Sequence, residues 1–184
     1  MAGAGADTAA WLRLTLIPGI GGETQRKLLA AFGLPGNVFS ATPSALRSVI
    51  SERACALLLD AGNREAVEAA LDWASRPGQH VVTLADEDYP ARLLDTPDPP
   101  SVLYVRGRRE LLRGNSPSLA IVGSRNATAQ GQRDAQAFAS VLAKAGFCIV
   151  SGLALGIDAA AHRGALAAAG TTIAVIGTGA DRLY

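Results

Sequence analysis

The sequence predicts an α/β chain in which a small all-α domain precedes an open parallel sheet. Apolar residues recur at helical spacing from residue 8 to 75, and the period then changes. Near the C-terminus three continuous apolar runs alternate with two stretches of helical length, the signature of strand, helix, strand, helix, strand.

The helical part is read from Trp11, Leu12, Leu14 and Leu16, then Leu28, Leu29, Ala31 and Phe32, then Leu46, Val49 and Ile50, then Leu57 to Leu59, and finally Val67 and Leu71. Pro18-Gly19 and Gly21-Gly22 interrupt the first pair, Gly33 with Pro35-Gly36 ends the second helix, and Thr42-Pro43-Ser44 is a helix start. A compact bundle of about four or five helices is expected, closed by Arg76-Pro77-Gly78, which places one domain at 1–78 and a second at 79–184. In the second, His80 to Leu84 and Val102 to Val105 are short strands. Leu119 to Val122, Phe147 to Val150 and Thr172 to Ile176 are continuous apolar runs, which predicts strands buried on both faces. Ala127 to Ala145 and Ile157 to Ala169 supply the helices between them, with right-handed crossovers.

Composition narrows the function classes. With 49% hydrophobic and 18% charged residues the chain is ordinary globular material, and 5% aromatics leaves Leu, Val, Ile and Ala to build the core. A net charge of +1 gives no global basic field, so any phosphate site is local. The densest basic stretch, Arg106, Arg108, Arg109 and Arg113 interrupted by Glu110, is either such a site or a solvated turn. Cys55 and Cys148 lack metal or redox spacing and read as buried free thiols. No run approaches the ~18 apolar residues of a membrane span, and the N-terminus lacks a basic region followed by an apolar stretch, so a cytoplasmic location is expected.

Ligands of open parallel sheets bind outside the carboxyl ends of the strands, and each apolar run here ends in a glycine-bearing turn. The turns are Gly123-Ser124-Arg125, Ser151-Gly152-Leu153-Ala154-Leu155-Gly156 and Gly177-Thr178-Gly179. Glycine permits close backbone approach and the following helix offers unpaired N–H groups, so an anion, phosphate above all, is expected at each corner. Arg125 is placed to clamp a phosphate through two parallel hydrogen bonds; the bland reading is a surface arginine. The turns have neither GxGxxG nor GxxxxGK[ST] spacing, so dinucleotide and nucleoside-triphosphate binding gain little support, and no cofactor is expected. Asp158 and His162 lie four residues apart on one helix face, which permits a carboxylate–imidazole bond. A structural pairing is preferred there, Asp158 at the positive helix end holding His162, because no third metal ligand or nucleophile is identifiable. Leu16-Ile17-Pro18-Gly19-Ile20-Gly21-Gly22 is a second candidate, a helix-hairpin-helix able to present amides to a DNA phosphate, or simply a tight interhelical turn.

Tyr89-Pro90, Leu93, Asp98-Pro99-Pro100, Leu103 to Gly107, Ile121 to Arg125, Ser151 to Ala154, Gly156-Ile157-Asp158, Ala161-His162, Gly164-Ala165-Leu166 and Gly177-Thr178-Gly179 resemble, in order and spacing, the DNA-processing protein A (DprA/Smf) family. The likeness runs from about residue 8 to the end, and SGLAxGID followed by AH is its most specific part. It implies a sterile-alpha-motif-like (SAM-like) helical domain followed by an extended Rossmann-like domain that binds single-stranded DNA. It also implies a cytoplasmic, non-enzymatic function: protecting incoming DNA in natural transformation (competence), displacing single-strand-binding protein and loading RecA. On the matching positions Gly123, Ser124 and Arg125 form the principal phosphate pocket, joined by Ser151, Gly152 and Gly156, with Gly177 and Gly179 at the third turn and Asp158 and His162 shaping its wall.

Two departures qualify the resemblance. The position inside SGLAxGID that is commonly Arg or Lys is Leu155 here, which is expected to weaken DNA binding and flatten its salt dependence unless Arg163 or Arg133 compensates. The family also continues beyond the strand at Thr172 to Ile176, whereas this sequence stops at Tyr184. The Rossmann-like sheet is therefore expected to be truncated, with the Leu119 to Val122 strand at an exposed apolar edge. Family members dimerise through the Rossmann-like domain, so a homodimer is expected of the full-length protein. A rival reading is an enzyme of the related phosphoribohydrolase-like class, although its PGGxGT motif with a catalytic Glu is absent here. A third is that the helical domain is a protein-interaction module.

Overall fold

The computed structural model describes residues 2–60, 62–114 and 116–179. The chain divides into two compact units, Met1–Arg113 and Gly114–Tyr184. The break in sequence character at residue 78 lies inside the first unit.

In that unit six α-helices come first among the described residues: α1 (Ala2–Thr15), α2 (Gly22–Phe32), α3 (Pro35–Ser40), α4 (Pro43–Arg47), α5 (Glu52–Leu59) and α6 (Arg64–Ala74). This exceeds the expected four or five because α3, of 6 residues, is too short to show a period. The Thr42-Pro43 start signal is realised, with Thr42 Oγ1 accepting from the Ala45 amide at 3.3 Å. Leu14, Ile17, Ile20, Leu28, Val38, Leu46 and Leu58 form the core of the bundle, with the thiol-bearing Cys55 buried and unpaired among them.

A two-stranded antiparallel pair belongs to the same unit: β1 (Gln79–Thr83) and β2 (Val102–Arg106), with Val82 opposite Leu103. Trp73 of α6 meets Tyr104 of β2 edge to face, centroids 5.5 Å apart at 71°, tying the pair to the helices. Between the strands the Tyr89 hydroxyl donates to the Pro100 carbonyl at 2.8 Å. Buried Asp88 accepts from Arg113 and, at 3.0 Å, from Arg109. Two of the four arginines in the densest basic stretch therefore neutralise a carboxylate of their own fold.

The second unit holds a parallel sheet in the order β3 (Ser118–Ala120), β4 (Cys148–Ser151) and β5 (Thr172–Ala174), connected by α7 (Ala129–Lys144) and α8 (Ile157–Ala167). Because successive strands are neighbours, two crossovers of one hand put both helices on one face. There Ala139, Ala143, Ala161 and Ala165 pack with Ile149 as a small-residue core. Gly164 lies so close to α7 that a Cβ on it would stand 2.2 Å from the Gln136 carbonyl oxygen.

The expectation of strands buried on both faces holds for β4, where Cys148, Ile149 and Ser151 are buried, and is corrected for β3 and β5. All of β3 is exposed and Ala174 of β5 is exposed, because the described residues supply helices to one face only. The edge position expected for the Leu119 to Val122 strand is found: among the described residues β3 pairs with β4 alone.

Asp88 supplies a test of the first unit. Its hydrogen bond with Arg113 holds the carboxyl below its usual range, so its stabilising contribution is in place above the ordinary aspartate value of about 4 and is lost as the pH falls through the depressed one. Asp88→Asn is expected to lower the urea midpoint at pH 7 and to flatten the fall in stability below about pH 4, both read by circular dichroism.

Candidate nucleic-acid interface

The three glycine-bearing turns follow β3, β4 and β5 in strand order along the carboxyl edge of the sheet. The first two are locked together. The Ile157 amide, which opens α8, donates to the Ser124 carbonyl at 3.2 Å. Gly156 has φ +82°, and a Cβ on it would stand 2.2 Å from the Ser124 carbonyl oxygen and 2.5 Å from that of Arg125. A Cβ on Gly123 would meet the Ile157 side chain at 2.7 Å. These glycines are required by the approach of one turn to the other, whatever a ligand demands. The third turn is tied in by the Val175 amide, which donates to the Ser151 carbonyl at 2.9 Å.

Asp158 organises the middle turn. Its buried carboxylate accepts through Oδ2 from the Gly152 amide at 3.2 Å and the Ala154 amide at 3.4 Å. The Ala159 amide is taken by the Ala154 carbonyl at 3.1 Å, and the Ser124 hydroxyl accepts from the Asn126 amide at 3.1 Å. The expectation that a phosphate is welcomed by unpaired amides at each corner is therefore corrected at the middle turn: an internal carboxylate and internal carbonyls take them. A buried charge near a helix N-terminus is cheapest when hydrogen-bonded there, so Asp158 stands where a bound anion was expected.

The other predicted site residues separate by exposure. Gly123, Ser124, Arg125, Leu155, Gly177 and Gly179 are exposed at the rim, while Ser151, Asp158 and His162 are buried and Gly152 and Gly156 are half-buried. The Ser151 hydroxyl donates to the Ile121 carbonyl at 2.6 Å, linking β4 to the end of the β3 run. Asp158 and His162 do not form the pair their spacing permits. His162 Nδ1 instead lies 2.7 Å from Thr172 Oγ1, which donates to the Ile149 carbonyl at 2.7 Å. With the hydroxyl proton so committed, Nδ1 carries the imidazole proton, and Nε2 is buried with no partner among the described residues. Burial pushes the His162 pKa down, opposed by the Asp158 charge.

Sequence reasoning missed Thr172 and Leu153. A hydroxyl in an otherwise apolar strand was a usable signal for the first; nothing local marks Leu153, which adopts φ +62°. In the first unit Asp98 lies against Gly22, at the end of the Leu16 to Gly22 hairpin, and pairs with Arg26. No group of three or more potential metal ligands occurs among the described residues, and none of their helices is long and apolar enough to cross a membrane.

The family model for DNA recombination-mediator protein A matches residues 80–184, more than half of the chain. The chain belongs to the DNA recombination-mediator protein A family. It is 37% identical over 186 residues to Protein Smf of Synechocystis sp., covering 98% of this chain and 46% of that protein, and 34% identical to Protein Smf of Escherichia coli, covering 97% and 46%. It is 43% identical over 102 residues to DNA processing protein DprA of Streptococcus pneumoniae. The X-ray structure of DprA from Streptococcus pneumoniae superposes with a TM-score of 0.78 at 28% identity, covering 96% of this chain and 60% of that one. The mixed fold of helices and a parallel Rossmann-like sheet is thus a family property, and the chain spans about half the length of the two Smf relatives.

Two measurements probe the turns. Asp158→Ala strips the acceptor from two partly buried amides and is expected to cost about 1–3 kcal/mol in urea unfolding, whereas Asp158→Asn, which keeps an acceptor oxygen, should cost less. For His162 a depressed folded pKa means that the unfolded chain binds more protons. Stability should therefore decline as the pH drops below the ordinary imidazole value of about 6.5 toward the depressed one, and His162→Gln should reduce that slope.

Proposed function

We propose that the chain binds single-stranded DNA at the carboxyl rim of its parallel sheet and works as a non-catalytic recombination mediator. The observation that carries this reading is the lock between the first two turns, Ile157 amide to Ser124 carbonyl, which leaves Ser124 and Arg125 exposed beside the rim rather than in the core. A guanidinium so positioned grips phosphate oxygens through parallel hydrogen bonds without reading base sequence. With the amides of Gly152 and Ala154 occupied, the direct contacts fall to Ser124, Arg125 and the Gly177-Thr178-Gly179 turn, and Leu155 is joined to Gly156, which packs on the Ser124 and Arg125 carbonyls. Gly123 and Gly156 permit the approach of the turns, Ser151, Gly152 and Asp158 hold them in place, and His162 ties α8 to the start of β5 through Thr172.

Membership of the recombination-mediator family supports the wider part of the proposal. In natural transformation the full-length protein shelters incoming single strands in the cytoplasm, displaces single-strand-binding protein and loads RecA, acting as a homodimer. The division into a SAM-like module at 1–78 and the first half of a DNA-binding domain at 79–184 belongs to the same reading.

Fluorescence anisotropy with labelled oligo-dT over a salt series tests it. Each neutralised phosphate of a single strand adds about 0.7 to the slope of log K against log salt. Arg125→Ala should lower affinity about tenfold or more and reduce the slope by about that amount, while Leu155→Lys should steepen it by a similar amount. Equal affinity of the wild type and Arg125→Ala would remove the proposed phosphate contact.

A further inference from the structure

A cleft of about 540 Å3 opens between α1, α3 and α6, within the size range of binding clefts. Its room comes from small residues: Ala9 and Ala10 of α1 and Gly36 of α3 bring no side chain that fills it. Phe39 and Val67, both half-buried, supply apolar walls. The frame is fixed where buried Asn63 donates through Nδ2 to the Arg13 carbonyl at 2.8 Å, tying the start of α6 to the last turn of α1. Charge gives the cleft a preference. The Arg13 guanidinium carbon stands 3.9 Å from the centroid of the Phe39 ring. Stacking uses the face of the guanidinium plane and leaves the N–H donors at its edge available. Among the described residues no carboxylate pairs with Arg13, although Arg26, Arg47, Arg64 and Arg76 of the same unit each have one. Arg64 adds a second guanidinium to the lining, held by Glu68 at 2.7 Å in an exposed pair that water weakens. The lining thus carries two cations and one carboxylate, and the cation left without a carboxylate is the one lying on an aromatic ring.

We propose that this cleft docks an acidic peptide segment of a partner protein, with an apolar side chain of the segment seated between Phe39 and Val67 and a flanking carboxylate held by Arg13. The proposal goes beyond strand binding at the sheet and does not depend on it. Charge complementarity selects the occupant. A carboxylate takes two parallel hydrogen bonds from the edge of a guanidinium, and the stack on Phe39 has already fixed the plane in which they form. The small residues and apolar walls accept one side chain, which supplies the area that a lone ion pair at a surface lacks. A basic segment would meet Arg13, and an uncharged one would leave it unused. A polyanionic strand would meet the Glu68 carboxylate and apolar walls that give its phosphates nothing.

The test measures, by anisotropy on the 184-residue chain, the binding of fluorescein-labelled peptide pools about eight residues long. One pool combines Asp and Glu with positions drawn from Leu, Phe and Trp. A second replaces its acids by Asn and Gln, a third replaces its apolar positions by Ala, and a fourth replaces its acids by Lys. The acidic apolar pool should bind about tenfold tighter than each of the others, and the advantage over the uncharged pool should shrink as salt rises. Arg13→Gln should remove that advantage. Glu68→Gln, which takes the carboxylate out of the lining and releases Arg64, should tighten binding of the acidic apolar pool about threefold. The Arg64–Glu68 pair is exposed, so this second variant is expected to keep its fold, and it decides the outcome if circular dichroism shows that Arg13→Gln unfolds. Equal binding of all pools, tightest binding of the uncharged or basic pool, or no tightening in Glu68→Gln overturns the proposal, as does an acidic preference that survives in folded Arg13→Gln. Displacement of the peptides by oligo-dT that persists in Arg125→Ala makes the occupant a nucleic acid and overturns it too.

Discussion

The carboxylate of Asp158 is the constraint on which the arrangement of the rim depends. By accepting from the amides of Gly152 and Ala154 it folds the turn after β4 back onto the start of α8. That fold brings Gly156 against the carbonyls of Ser124 and Arg125 and lets the Ile157 amide reach Ser124. A carboxylate in this position does electrostatically what a bound anion would do, satisfying the positive end of a helix, and it does so permanently. The turn after β4 is therefore held by its own side chain, and the exposed Arg125 belongs to the neighbouring turn.

Much of the fold was legible because its signals are local. The alternation of apolar runs and helical stretches located β3, α7, β4, α8 and β5, and Thr42-Pro43 located the start of α4. What was not legible depends on residues far apart in sequence. Asp158 and His162 have the spacing of a helix-face pair, yet each has a better partner elsewhere: backbone amides for the carboxylate and Thr172, across to β5, for the imidazole. Spacing along a helix lists the contacts that are allowed; only tertiary structure decides which are made. The burial of β3 was misjudged for a related reason, since an apolar run reports the environment a strand is suited to and not which of its faces the described chain covers.

The residues that carry the family resemblance divide into two kinds. Tyr89, whose hydroxyl holds Pro100, and Asp98, beside Gly22 and Arg26, maintain the first unit. Ser151, Asp158 and His162 maintain the second. Ser124, Arg125 and the Gly177 to Gly179 turn present groups to solvent. Motif likeness alone does not separate these kinds, whereas exposure and hydrogen-bond partners do.

The seam between α7 and α8 has an evolutionary consequence. With Gly164 lying against the Gln136 carbonyl and Ala139, Ala143, Ala161 and Ala165 filling the remaining space, substitutions there are confined to the smallest side chains. Such positions stay constant over long divergence for reasons of volume alone. Invariance at Gly164-Ala165 among descendants of this sequence therefore carries no information about what they bind.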